Sequence, residues 1–114
     1  MPTNGIRIRY ETLRSLGFAS ISGTYAAVGT AFANPVRILK ITNTTDAALI
    51  ISFDGVNNMD IVAAKSAWIH DYCSNKSING GELDQSVGDR VWVKQVTAPT
   101  VGTVYVTVIY ASQS

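Results

Sequence analysis

Few residues in this 114-residue chain could do chemistry, and most of them sit together. The one histidine, His70, stands beside Asp71 and three residues before the one cysteine, Cys73. Such a set could supply a nucleophile, a base and an orienting carboxylate, provided each group lies within hydrogen-bond reach of the next. The stretch Ala67 to Cys73, AWIHDYC, alternates as a strand. That places Trp68, His70 and Tyr72 on one face and Ile69, Asp71 and Cys73 on the other. The three groups diverge, so His70 reads as a structural or surface residue. No G-x-S-x-G elbow supplies a serine nucleophile instead.

A second cluster, Asp54, Asn57, Asn58 and Asp60 in DGVNNMD, offers oxygen ligands of the kind calcium takes. Its spacing is not that of an EF-hand, and Asp-Gly with Asn-Asn is ordinary turn chemistry. The eight acids are spread through turns with no pair set apart for glycoside hydrolysis. No glycine-rich phosphate loop stands before a helix. The aromatics Trp68, Tyr72, Trp92, Tyr105 and Tyr110 could stack on sugar rings, but they occupy strand positions where such residues fill a core or a subunit contact. No catalytic residue, metal ligand or cofactor site is expected, and the chain reads as a non-enzyme.

The elements that carry these residues are short strands. Ile6, Ile8 and Tyr10 alternate with Arg7 and Arg9, which marks an edge strand or an arm lent to a neighbour. Tyr10, Leu13 and Leu16 recur every third residue, compatible with a short helical turn, before a strand over Leu16 to Ile21. Thr24 to Phe32 reads as another strand, its small Ala26, Ala27, Gly29 and Ala31 predicting a bulge or close backbone approach. The densest apolar stretch is Asn34 to Gly55, read as two strands joined by the polar turn Asn43-Thr44-Thr45-Asp46. In the first strand Val36 and Ile38 oppose Leu39 and Ile41, so an interior strand is predicted, with cover on both faces or a second face that meets a partner. Met59 to Ala63, Ala67 to Cys73, Arg90 to Val96 and Gly102 to Tyr110 complete the set. Ser74 to Gly81 reads as a loop, and Glu82 to Gly88 is weakly patterned.

Eight or nine short strands divided by turn signals predict an all-β fold, a single antiparallel β-sandwich or jelly-roll-like domain. Residues 1–11 are expected as an N-terminal arm or edge strand and 12–114 as the sandwich. Charged residues make up 15% of the chain, against the roughly 25% that is usual. Ser, Thr, Asn and Gly must therefore cover the surface, or a partner must. The net charge is +1, and Arg7, Arg9 and Arg14 are the only local basic group, too little for a nucleic-acid stripe. No apolar run reaches the roughly 20 residues that span a bilayer. The lone cysteine and the lack of an apolar leader fit synthesis in a reducing cytoplasm.

The motifs Asn34-Pro35-Val36-Arg37-Ile38, Asn43-Thr44-Thr45-Asp46, Ser52-Phe53-Asp54-Gly55 and Val93-Lys94-Gln95 with Ala98-Pro99 carry a resemblance. From about Leu13 to Tyr110 the chain resembles small virion structural proteins of tailed bacteriophages and prophages. It departs at Ala63-Ala64-Lys65-Ser66, where a Pro-Ala-Gly-Ser-like turn is expected. The resemblance implies a many-copy structural component of the virion, made in the cytoplasm of a bacterial host. Its role would be capsid decoration or cement, or a head–tail accessory part. Its partners would be copies of itself and the major capsid or other virion proteins, with no specific nucleic acid and no membrane. The expected assembly interface is the arm: Ile6, Arg7, Ile8, Arg9 and Tyr10. The alternative is a receptor- or glycan-binding module of a phage tail or fibre.

Overall fold

The computed structural model describes residues 6–71 and 88–113 of the chain. Within them the order is β1 (Ile6–Tyr10), β2 (Arg14–Gly17), a 3-10 turn (Phe18–Ser20), β3 (Ala26–Ala27) and β4 (Val36–Asn43). There follow β5 (Leu49–Ser52), β6 (Asp60–Val62), β7 (Ser66–Asp71), β8 (Trp92–Gln95) and β9 (Thr103–Gln113). They form two antiparallel sheets. One runs β1-β9-β4-β7, with β2 also on β9, and the other runs β3-β8-β5-β6. From β2 onward the chain changes sheet at every step except β5 to β6. This wrapping is the jelly-roll form of a β-sandwich, and the all-β expectation holds.

The core lies between the sheets and is built from their inward alternation. Val104, Val106 and Val108 of β9, Leu39 and Ile41 of β4, Leu49 and Ile51 of β5, and Val93 of β8 are completely buried. Each such side chain contributes about 1.5–3 kcal/mol on leaving water, and β-branched residues suit the pleat. Phe32, Val28 and Val91 close the same cluster from the connections.

Asn34 to Gly55 is not a hairpin. Its two strands lie in different sheets, β4 between β9 and β7 and β5 between β8 and β6. The corner is turned by Asn43, 1% exposed, whose Nδ2 donates to the carbonyls of Ala47 (2.9 Å) and Ala63 (3.1 Å). Its Oδ1 accepts from the Thr45 backbone N–H (3.0 Å) and hydroxyl (2.6 Å). These bonds satisfy the buried corner backbone, so the chain can cross between sheets instead of doubling back. β4 is an interior strand as predicted, but the shared facing of Val36 and Ile38 is corrected. The register on β9 shifts between Val36 and Ile38, a bulge at Arg37. The extra residue puts Val36 on the same buried side as Leu39 and Ile41 and leaves Ile38 half-exposed outside.

Other differences are local. Tyr10 to Leu16 stays extended because the Glu11 N–H donates to Val108 O (3.0 Å), holding the chain on β9. In place of the Leu16 to Ile21 strand, β2 lies earlier at Arg14–Gly17 and Phe18–Ser20 winds as 3-10. Between Thr24 and Phe32 only Ala26–Ala27 is strand. Gly29, at φ +71°, breaks the extension, and a Cβ there would stand 2.7 Å from Arg14 Cγ, the close approach expected of this small-residue run. Gly55, at φ +73°, lies in the turn that follows β5, as Asp54-Gly55 predicts. Lys65 stands at the glycine position of the expected Pro-Ala-Gly-Ser-like turn, and its φ of +54° is one that glycine adopts freely.

Candidate assembly face

The register across five strands defines one continuous outer surface. On β9, Val104, Val106 and Val108 point inward, so Tyr105, Thr107 and Ile109 point out. Ile109 stands opposite Tyr10 of β1 and Ile38 of β4, and Ile38 stands opposite Asp71 of β7. The next row is Thr107, Lys40 and Ile69, and the one after it Ser15, Tyr105, Thr42 and Ala67. Ile8 lies two residues from Tyr10 on the same side. Ile8, Tyr10 and Ile69 are 70%, 67% and 63% exposed, while Ile38 and Ile109 between them are half-buried. Among the residues paired in these rows only Lys40 and Asp71 carry charge. A hydroxyl-rich sheet face with isoleucines and a tyrosine at one end is what a second protein surface would cover.

The arm residues fall at the margin of this face. Ile6, Arg7, Ile8, Arg9 and Tyr10 pair in order with Gln113, Ser112, Ala111, Tyr110 and Ile109 of the same chain. The strand therefore closes on its own sheet here. Past Val36, which pairs with Tyr110, β4 gives no further partner to β9. Among the described residues, the end of β9 is paired by β1 alone.

Arg14 belongs elsewhere than the basic group in which the sequence places it. It faces inward at the sandwich end and is 8% exposed. Its Nη2 donates to Glu11 Oε1 (2.7 Å) and Ala31 O (3.0 Å), and its Nε donates to Thr30 O (2.8 Å). The guanidinium also lies 5.4 Å from the centre of the Phe32 ring. Glu11 accepts in turn from the Ala33 N–H (3.1 Å) and Asn34 Nδ2 (2.9 Å). Burial works to raise the Glu11 pKa, but the bonds from Arg14, Asn34 and Ala33 and the guanidinium charge outweigh it and hold the carboxyl below its usual value. The i, i+3 spacing of Glu11 and Arg14 was the available signal. It was hidden because Arg7 and Arg9 nearby are equally basic.

Of the residues that could do chemistry, His70 and Asp71 point to opposite faces of β7. His70 lies beside Trp68, ring centres 5.7 Å apart, while Asp71 is in the outer row with Ile38. Tyr72, Cys73 and the segments read over 74–87 lie outside the described residues. Asp54 Oδ1 accepts from the Val56 and Asn57 N–H groups (2.8 and 2.9 Å), and Oδ2 accepts from Asn57 Nδ2 (2.7 Å). These bonds hold its pKa well below the carboxylate range and make it the keystone of a turn. Asp60 accepts from Trp68 Nε1, which joins the sheets at the β6–β7 margin. Trp92 packs against Gly55 and lies under Arg90, whose guanidinium is 5.5 Å from its ring centre. Trp68 and Trp92 sit on different sheets and form no shared platform.

Comparison with protein-family models, curated proteins and solved structures finds no match to this chain.

Proposed function

We propose that the chain is a virion structural subunit of a tailed bacteriophage, acting by protein–protein assembly as a capsid decoration or cement protein or a head–tail accessory part. The outer face of the β1-β9-β4-β7 sheet carries this reading. It is broad, low in charge, and set with exposed Ile8, Tyr10 and Ile69 around half-buried Ile38 and Ile109. Its burial against a neighbour would supply the binding free energy without cofactor or catalysis. The resemblance in the Asn-Pro-Val-Arg-Ile and Ser-Phe-Asp-Gly motifs supports the same role, as does the scarcity of charge. The arm Ile6–Tyr10 would form the rim of the interface.

The test is to express the tagged chain during phage growth in a host that carries its gene, then band the particles on a density gradient. Co-banding with heads at stoichiometric level is expected. Recovery only in the soluble fraction, at any expression level, sinks the proposal. A glycan array run in parallel separates the receptor-binding alternative, which requires saturable binding to defined sugars.

A further inference from the structure

One end of the proposed assembly face is a groove of about 520 Å³ lined by Thr42, Asn43, Thr44, Lys65, Ser66 and Ala67. Most of its polar atoms are already engaged. Asn43 bonds within the corner, the Thr44 hydroxyl donates to Thr103 O (2.7 Å), and the Ser66 hydroxyl donates to Ala63 O (2.7 Å). The Lys65 ammonium and the Thr42 hydroxyl enter no bond among the described residues, and neither does Lys40, one row along β4 from Thr42. Lys65 also holds φ +54°, where glycine would sit without steric conflict, so a long cation stands at a position whose backbone does not favour it. The two lysines flank a neutral strip of Thr42, Ala67 and Tyr105, with Ile69 beside Lys40 and Ile38 one row beyond. The face's acid, Asp71, lies at the opposite end of β7 from Lys65.

We infer that this groove docks a carboxylate-bearing extended segment of a different protein, with Lys65 and Lys40 contacting its acidic side chains and Ile69 and Tyr105 its apolar ones. This rests on the reading of the face as an assembly surface. Charge decides the occupant: a second copy laid on the same end would bring the lysines of both copies together, whereas an acidic segment is attracted and oriented. Alternating acidic and apolar residues on that segment would match the sheet's side-chain spacing.

The probe is an acetylated, amidated Leu-Glu-Leu-Glu-Leu peptide titrated into the full chain by nuclear magnetic resonance, beside its Gln and Lys counterparts. The acidic peptide is expected to shift the amides of 40–44 and 65–69 and the other two to leave them in place. Lys65→Gly and Lys40→Gln should each weaken binding by about three- to tenfold, the range of a partly exposed ion pair. Lys65→Gly should keep or raise the melting temperature, which separates lost contact from lost fold. Equal binding of the Gln peptide, or unchanged affinity in both variants, overturns the inference. So does a homodimer in sedimentation that the acidic peptide displaces, since a second copy then owns the groove. If heads still load both lysine variants normally and the peptide fails to bind, the acidic contact falls and the assembly role stands. If the peptide binds as expected but the chain never bands with heads, the assembly role falls and the groove remains.

Discussion

Gly102 shows how much one residue can determine here. It lies at φ +99°, and a Cβ on it would stand 2.7 Å from Thr45 Cα, at the corner where β9 begins beside the β4–β5 crossing. Gly102→Ala is expected to cost about 3 kcal/mol, from left-handed strain and overpacking together, read as a lower urea midpoint with unchanged slope. Arg14 and Glu11 are a second such point, since their side chains are 8% and 7% exposed. Glu11→Ala would leave a buried guanidinium without its carboxylate and should cost about 3 kcal/mol. The double variant Glu11→Leu with Arg14→Met should cost less than the two single losses added, because no charge is then stranded. An additive double variant would show that the pair stabilises by packing alone.

At the scale of the elements, the crossing between sheets hangs on Asn43. Its amide spans the start of β5 and the end of β6, and Asn43→Ala removes both donor and acceptor from a buried corner. About 3 kcal/mol of lost stability is expected, and a loss under about 1 kcal/mol would mean water can substitute there. The N-terminal strand is of a different kind. Ile8 and Tyr10 are largely exposed, so little core burial is lost when β1 is removed. A chain starting at Tyr10 should fold with a modestly lower melting temperature yet load onto particles far less than the full chain. Normal loading of that truncation would remove the arm from the interface. The same elements show what sequence could reveal. Strict alternation made β9 and the inward Val91 and Val93 legible. The bulge at Arg37 was not, because a single inserted residue reverses facing without changing composition.

For the whole molecule, acid is the expected weak point. Glu11, Asp46 and Asp54 all have folded pKa values below their ordinary ones. For Asp46 the cause is the bond from the Thr100 hydroxyl, aided by the Thr100 backbone N–H. Carboxyls lowered by folding add stability that is complete above their unfolded values, near pH 4–4.5, and lost as pH falls through the lower folded values. The melting temperature should be flat from about pH 7 to 5 and then drop on further acidification. Asp54→Asn should start lower at pH 7 and show a shallower acid limb by calorimetry. An identical limb would mean that the turn around Asp54 contributes nothing to the pH dependence.

By itself the sequence determined the all-β class, most of the inward residues, and the poverty of charge that points to a covered surface. These are local properties: period-two alternation, turn residues and composition are written residue by residue. Only the tertiary structure decided that Asn34 to Gly55 splits between two sheets, that Arg14 is buried, and that Tyr10, Ile109, Ile38 and Asp71 stand in one row. Those facts depend on strand partners far apart in sequence, and a polar turn such as Asn43–Asp46 reads alike whether the chain doubles back or crosses the sandwich. Long-range pairing chooses between the two, and the choice decides which side chains meet a partner.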